Sequence, residues 1–168
     1  MSTTALISMA EYLDTSYEPD AEYVDGVVLG RDVGKKTHSK VQGRIMVWFA
    51  TRYPEYPVWI EQRVETVPGR RCRIPDVCVT LSEPPTEVFD TPPFICIEIL
   101  SEGDSISDYL EKFEEYSGFG VRHIWVIDPR RKRAYLYSEG SLQELQGDAF
   151  ITTNPEIRLP LEEVFRGL

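Results

Sequence analysis

Apolar residues recur along this chain with two different periods, and the periods separate helices from strands. Residues 37–52 carry an apolar stripe at helical spacing and predict an amphipathic helix with Thr37 as its N-cap. A second helix is predicted from about residue 105 to about residue 117. Ser8 and Glu11 form a capping-box pattern, which predicts a short helix over residues 9–13. Each helix is expected to pack its apolar face on a sheet.

The remaining apolar segments are short and rich in β-branched residues, which indicates strands. Asp25 and Gly26 lie between two such segments and predict a tight hairpin. Single strands are predicted over residues 58–67, 73–81 and 94–100, and a second hairpin over residues 122–128 and 134–138. The strand FICIEIL is apolar on both faces and is expected near the centre of a sheet. The pattern predicts one α+β or mixed α/β domain over residues 1–168, with helices packed on a central sheet.

The charge balance narrows the classes of function. The chain has 168 residues, with 18 lysines and arginines against 28 aspartates and glutamates, so its formal net charge is -10. This balance argues against a protein that coats nucleic acid without specificity. It leaves open a protein that holds a divalent metal and contacts DNA along a narrow track. The three cysteines, at positions 72, 78 and 96, lack the spacing of a zinc site or a disulfide framework and are expected in the core.

No segment has the features of a targeting or membrane-spanning sequence. The first residues lack a basic stretch followed by a long apolar run, and no run approaches the ~20 apolar residues of a membrane helix. The sequence therefore predicts a cytoplasmic protein with no membrane-embedded part.

Two acidic residues occupy segments in which a charge is unfavourable. Asp76 lies in the segment IPDVCV, and Glu98 lies in the middle of the strand FICIEIL. A carboxylate in such a place must be paired, neutralised or bound to a metal. Taken singly, Asp76 is compatible with a strand-edge acid and Glu98 with a buried salt bridge. If their strands are neighbours, the two carboxylates converge. Hard oxygen ligands without a histidine or cysteine cluster then favour Mg²⁺ or Mn²⁺.

A lysine on the second long helix is a candidate to accompany these acids. Lys112 falls on the border between the apolar and the charged faces of that helix. It either reaches inward to the end of the Glu98 strand or lies along the surface with its charge in solvent.

Two basic groups and one histidine complete the set of candidates. Arg70, Arg71 and Arg73 precede Asp76, and a second group occupies residues 130–133. Both groups are compatible with contacts to DNA phosphates or with solvated turns. His38, at the start of the first long helix, either contacts a phosphate or lies near the site, or it has a structural role at the helix N-terminus, which is the expectation.

An ordered set of short motifs connects these residues. In chain order the motifs are EYVDG from Glu22, then His38, PDV around Asp76, EILS from Glu98, Lys112 followed by Tyr116, and GV-x3-W-x2-DP from Gly120. In this order the set resembles the Uma family of restriction-endonuclease-like proteins, within the PD-(D/E)XK nuclease superfamily. The resemblance runs from about residue 10 to about residue 166. It implies a restriction-endonuclease-like core, in which a mixed central β-sheet is flanked by helices.

The resemblance also implies a metal site. Asp76 and Glu98 correspond to the acids that hold the metal, and the backbone carbonyl of Ile99 corresponds to a further ligand. Glu22 corresponds to an upstream acid that often completes such sites. Mg²⁺ or Mn²⁺ is the implied ion.

The position of the catalytic lysine departs from the superfamily pattern. Superfamily members usually carry it two residues after the second acid, where this chain has Leu100. In the family that this chain resembles, a lysine on the following helix substitutes, which corresponds to Lys112.

The implied activity is metal-dependent hydrolysis of DNA phosphodiester bonds by an endonuclease. The resemblance further implies a homodimer or higher homo-oligomer, because cutting both strands of a duplex takes two sites. The missing lysine at position 100 and the net charge of -10 favour an alternative, a catalytically weak or inactive nuclease-fold protein that binds DNA or protein. A third alternative is a metal-dependent hydrolase of a smaller phosphate ester.

Overall fold

The fold is described by a computed structural model that covers residues 5–32 and 34–168. The helices are α1 (Met9–Asp14), α2 (Lys36–Arg52), α3 (Ile106–Phe119) and α4 (Leu161–Phe165). The strands are β1 (Ala21–Val24), β2 (Val27–Gly30), β3 (Val58–Ile60), β4 (Val64–Val67), β5 (Arg71–Arg73), β6 (Val77–Val79), β7 (Ile95–Ile99), β8 (His123–Asp128), β9 (Arg133–Ser138), β10 (Ser141–Glu144), β11 (Ala149–Ile151) and β12 (Arg158–Pro160).

A six-stranded mixed sheet forms the centre of the fold. Its strand order is β10-β9-β8-β7-β6-β3, in which β7 and β8 are parallel and the other neighbours are antiparallel. Every residue of β7 is buried, as its apolar sequence predicts. Helix α2 packs on one face of β7 through Ile45 and Phe49, and α3 packs on the other through Phe113 and Tyr116. The predicted mixed sheet flanked by helices is confirmed.

A second sheet of four strands, in the order β2-β1-β5-β4, lies beside the first. Helix α1 covers this sheet, and the small core between them contains the buried side chains of Tyr12, Tyr23 and Cys72. Asp25 and Gly26 form the predicted hairpin between β1 and β2, both with positive φ, at 49° and 92°. The side chain of Ser8 accepts a hydrogen bond from the backbone N–H of Glu11, which confirms the cap of α1.

Two of the predicted strands are each broken in the structure. The segment 58–67 contains β3 and β4, which belong to different sheets, with Glu61 at a φ of 52° between them. The segment 73–81 contains the end of β5 and the whole of β6, separated by Ile74, Pro75 and Asp76. The prediction of single strands is therefore wrong in both places. Pro75 lacks the N–H that a continuous strand would need to pair, and the chain changes sheet there.

The start of α2 also differs from the prediction. The helix begins at Lys36, and the N-cap residue is Lys35, whose side chain makes no cap hydrogen bond. Thr37 lies inside the first turn and is not the cap. All three cysteines are free and buried, as expected. No helix in the described part of the chain combines the length and the apolar character needed to cross a membrane.

Candidate active site

A cavity of about 380 Å³ opens where the two sheets meet. Its walls contain all four side chains that the sequence nominated for catalysis, Glu22, Asp76, Glu98 and Lys112. They come from β1, from the segment between β5 and β6, from β7 and from α3. The change of sheet at Pro75 places Asp76 beside the end of β7, because Asp76 directly precedes β6, the antiparallel neighbour of β7.

Lys112 lies inside this cavity rather than along the surface. Its Nζ is 2.7 Å from Glu22 Oε1 and 2.8 Å from Glu98 Oε1. The ring centroids of Tyr109 and Tyr116 lie 5.8 Å and 5.9 Å from the same Nζ atom. Burial alone would lower the pKa of Lys112, but the carboxylates raise it well above its usual range. The ammonium therefore stays charged at neutral pH.

Glu98 is the most deeply buried acid of the cavity, with 1% of its surface exposed. The Tyr116 hydroxyl donates a hydrogen bond of 2.7 Å to Oε1, the atom that also contacts Lys112. Burial raises the pKa of Glu98 to about 7, and the nearby charges of Asp76 and Glu22 act in the same direction. The Lys112 ammonium limits this increase. Glu98 therefore holds its proton to a higher pH than an ordinary glutamate does.

Asp76 has the opposite electrostatic state. Its Oδ2 accepts a hydrogen bond of 2.7 Å from the backbone N–H of Ile99 and lies 3.2 Å from His38 Nε2. Its Oδ1 accepts one of 2.7 Å from Arg31. Burial acts to raise the pKa of Asp76, but the hydrogen bond from His38 and the neighbouring positive charges lower it below its usual range. Asp76 is therefore a carboxylate at neutral pH.

Arg31 and His38 both contact the carboxylate of Asp76. The sequence did not nominate Arg31, and it offered His38 a place near the site only as the alternative to a structural role. His38 was expected to be structural, yet it is buried and lines the cavity. A signal for it existed, because His38 continues the inward stripe of Val41 and Ile45 toward the start of α2. Arg31 lies between β2 and α2, and no periodicity could have placed it.

Glu22 is held by both sheet and helix. Its Oε1 accepts a hydrogen bond of 2.9 Å from the backbone N–H of Ile74, and its Oε2 accepts one of 3.0 Å from Arg73. Burial acts to raise the pKa of Glu22, but Lys112 and Arg73 lower it. Arg73 is itself buried and also donates to Glu115.

The three arginines predicted to contact DNA are all paired with carboxylates. Arg73 bridges Glu22 and Glu115, and Arg71 contacts Asp25, Glu111 and Glu115. Arg70 pairs with Asp25, and 67% of its side chain is exposed. Because Arg73 is buried in this network, it serves to hold Glu22, and among the three only Arg70 is mostly in solvent.

The donor set fits a hard divalent cation. Asp76 and Glu98 present carboxylate oxygens at the same end of β7, since Asp76 accepts a hydrogen bond from the backbone N–H of Ile99, the residue after Glu98. In residues 5–32 and 34–168, no group of three or more histidine, cysteine, aspartate or glutamate side chains is arranged to hold a metal. Two carboxylates would thus be joined by the Ile99 carbonyl and by water or phosphate oxygens, as is common for Mg²⁺. Arg31 and His38 would have to give up part of their contact with Asp76.

Comparisons with known proteins agree with this fold. The sequence matches the family model Uma2, described as putative restriction endonuclease, over residues 9–168. The structure is similar to the crystal structure of a nuclease of DUF820 from Anabaena variabilis, itself described as putative. The TM-score is 0.79 at 21% sequence identity, and the match covers 95% of this chain and 97% of that chain. No curated protein matches the sequence.

Proposed function

The chain belongs to the Uma2 family of putative restriction endonucleases, and from this we propose that it is a divalent-metal-dependent endonuclease that hydrolyses DNA phosphodiester bonds. The observation that carries the proposal is the meeting of Asp76, Glu98, Glu22 and Lys112 in one cavity between two sheets. The first two supply oxygen ligands, and the third holds the lysine in place.

Mg²⁺ or Mn²⁺, held by Asp76, Glu98 and the Ile99 carbonyl, would supply an activated water and charge neutralisation at the scissile phosphate. Lys112 has the role of stabilising negative charge that develops on the phosphate, because a positive charge in a partly water-excluded cavity acts strongly. It is not a general base, since its raised pKa keeps the amine protonated. Tyr116 and Glu22 hold Glu98 and Lys112 at their positions.

A second candidate function rests on the pairing of the carboxylates. Without a metal, Asp76 is already neutralised by Arg31 and His38, and Glu98 by Lys112. A site whose carboxylates are already paired with positive side chains is compatible with a catalytically inactive nuclease-fold protein that binds DNA or protein.

We also propose that the active form is a homodimer or a higher homo-oligomer. One copy has one cavity of this kind among its described residues, whereas a cut through both strands of a duplex takes two.

Cleavage of supercoiled plasmid DNA with Mg²⁺ or Mn²⁺ tests the proposed activity. We expect the native protein to cut, Asp76→Asn to lose cutting, and Lys112→Ala to be slower by about 10²–10³-fold, the usual effect of removing one transition-state partner. Asp148→Asn is the matched control, because Asp148 is an exposed acid that pairs with Arg158 outside the cavity.

Two outcomes contradict this proposal. Equal cutting by all four proteins would assign the activity to a contaminant. No cutting by the native protein with either metal would favour the binding protein. Loss of cutting in Asp76→Asn with full activity in Lys112→Ala would keep the metal site and remove Lys112 from the mechanism.

A further inference from the structure

Helix α2 is strongly basic, although the protein has a net charge of -10. It carries Lys36, Lys40, Arg44 and Arg52 and no acidic residue, and Lys35 precedes it as the N-cap. The N-terminus of a helix already carries a partial positive charge, so acids are favoured there and lysines are not. Concentrating basic side chains at this end is unfavourable for the fold, which suggests that they serve an anion.

A cleft of about 240 Å³ lies beside the first turn of α2. Its lining includes Lys35, Thr37 and His38 from the start of α2, together with Ser101, Glu102 and Arg130 from the segments that follow β7 and β8. His38 and Ser101 also line the cavity of the candidate active site, so the two spaces adjoin.

The cleft has more positive than negative side chains. Lys35 pairs with Glu102 at 2.6 Å, and both side chains are more than half exposed. Arg130 is also exposed and close enough to Glu102 to help lower the pKa of that acid. Two cations thus face one acid, and all three side chains can rearrange around a ligand.

His38 connects the cleft to the candidate active site. Only 9% of its surface is exposed, and its Nδ1 is buried without a hydrogen-bond partner among the described residues. Its other nitrogen, Nε2, contacts Asp76. The imidazole therefore joins the proposed metal ligand to the wall of the cleft.

The turn after β8 extends this basic surface. Lys132 donates a hydrogen bond of 2.8 Å to the carbonyl of Leu168, and Lys40 donates one of 2.6 Å to the carbonyl of Gly167. The two lysines come from separate elements and bind the carbonyls of two consecutive residues. The basic groups of residues 130–133 and of α2 are therefore neighbours in the fold.

We propose that this cleft binds a backbone phosphate of the nucleic acid, next to the phosphate that occupies the candidate active site; the proposal rests on the proposed function. Lys35 and Arg130 are its charged contacts, and the first turn of α2 adds backbone N–H groups. Nucleic acid fits better than an acidic protein because the cleft continues the cavity of the site, and successive phosphates of one strand lie at regular spacing.

Binding of a short fluorescent DNA duplex, measured by anisotropy without divalent metal over a series of salt concentrations, tests this subsite. The variant is the double substitution Lys35→Gln with Arg130→Gln. We expect its affinity to fall about three- to tenfold and its salt dependence to become less steep by about one contact. Arg158→Gln is the matched control, since it removes an exposed charge that pairs with Asp148 elsewhere. It should leave both quantities unchanged.

The outcomes separate this proposal from the proposed function. A native protein that cuts plasmid, with a double variant that binds duplex as the native protein does, overturns the subsite and keeps the nuclease. A native protein that never cuts, with the expected loss in the double variant, supports the subsite and overturns the nuclease. Polyglutamate of matched charge binding as tightly as the duplex, with the same loss in the double variant, overturns the subsite in favour of an acidic protein partner.

Discussion

Glu98 is a carboxyl group inside a buried strand, and its neighbours decide its charge. Burial and the negative charges of Asp76 and Glu22 favour the protonated form, while Lys112 favours the carboxylate. The sequence shows that the acid is buried, because it interrupts an apolar strand. It does not show which groups face the acid, and those groups increase or limit the pKa shift that burial causes.

We expect the free energy of unfolding to decrease as the pH rises from about 5 to about 8. The pKa of Glu98 is about 7 when folded and 4.5 in its ordinary state, so the folded protein holds this proton more tightly. The stabilisation is complete below about pH 4.5 and is lost as the pH passes through about 7. The raised pKa of His38 acts in the same direction. The contribution of Glu98 is about 3 kcal/mol for a shift of this size.

Urea unfolding of the native protein and of Glu98→Gln at several pH values measures this effect. Glutamine keeps hydrogen-bonding groups next to Tyr116 and does not titrate, so the variant should show a weaker pH dependence. An equal pH dependence in both proteins would contradict the assigned state of Glu98. Because a metal binds only the carboxylate, metal affinity should increase over the same range.

At the scale of elements, the position of the candidate site depends on where the predicted long strands are broken. Residues 61–63 and 74–76 are the places where the chain passes between the two sheets. Propensity makes each flanking segment a good strand, so a single long strand was predicted across each break. The two parts of each segment pair in different sheets, and at the second break Pro75 also lacks the N–H that a continuous strand would need. The second break is also what places Asp76 next to the N–H of Ile99.

The β1–β2 hairpin offers a test of a turn that the sequence did identify. Gly26 has a φ of 92°, and an added Cβ would lie 3.2 Å from the side chain of Leu6. We expect Gly26→Ala to decrease the free energy of unfolding by about 1–3 kcal/mol, the usual effect of forcing an L-residue into this region. The measurement is the urea midpoint.

Gly30→Ala is the matched control in the same hairpin. An added Cβ there meets no atom within 4 Å, and no positive φ is involved. This variant should be neutral or slightly stabilised. Equal losses in the two variants would show that the turn geometry is not the cause.

At the scale of the whole molecule, a network of buried charges joins the two sheets. Arg73 of β5 contacts Glu22 of β1 and Glu115 of α3, and Lys112 of α3 contacts both Glu22 and Glu98 of β7. Opening one sheet away from the other would leave buried charges without partners, which is strongly unfavourable. The two sheets should therefore unfold together.

The three buried cysteines can report this cooperativity. Cys72 lies in the smaller sheet. Cys78 and Cys96 are free thiols at facing positions of the neighbouring strands β6 and β7 in the central sheet. We expect all three thiols to react with a disulfide reagent at one common rate, limited by global unfolding. Mass spectrometry of the labelled peptides measures each rate, and protein unfolded in urea is the control. Earlier labelling of Cys72 would show that the smaller sheet opens by itself.

The sequence by itself determined the presence of α1, α2 and α3 and of the β1–β2 and β8–β9 hairpins, the burial of β7 and the residue types of a candidate site. These follow from local periodicity and from the penalty of burying a charge. The resemblance in its motifs supplied the restriction-endonuclease-like fold. The tertiary structure decided which charges meet. It paired Arg73 with Glu22, turned Lys112 inward and brought Arg31 and His38 to Asp76. Such contacts join residues far apart in the chain, and a local pattern cannot specify the distance between them.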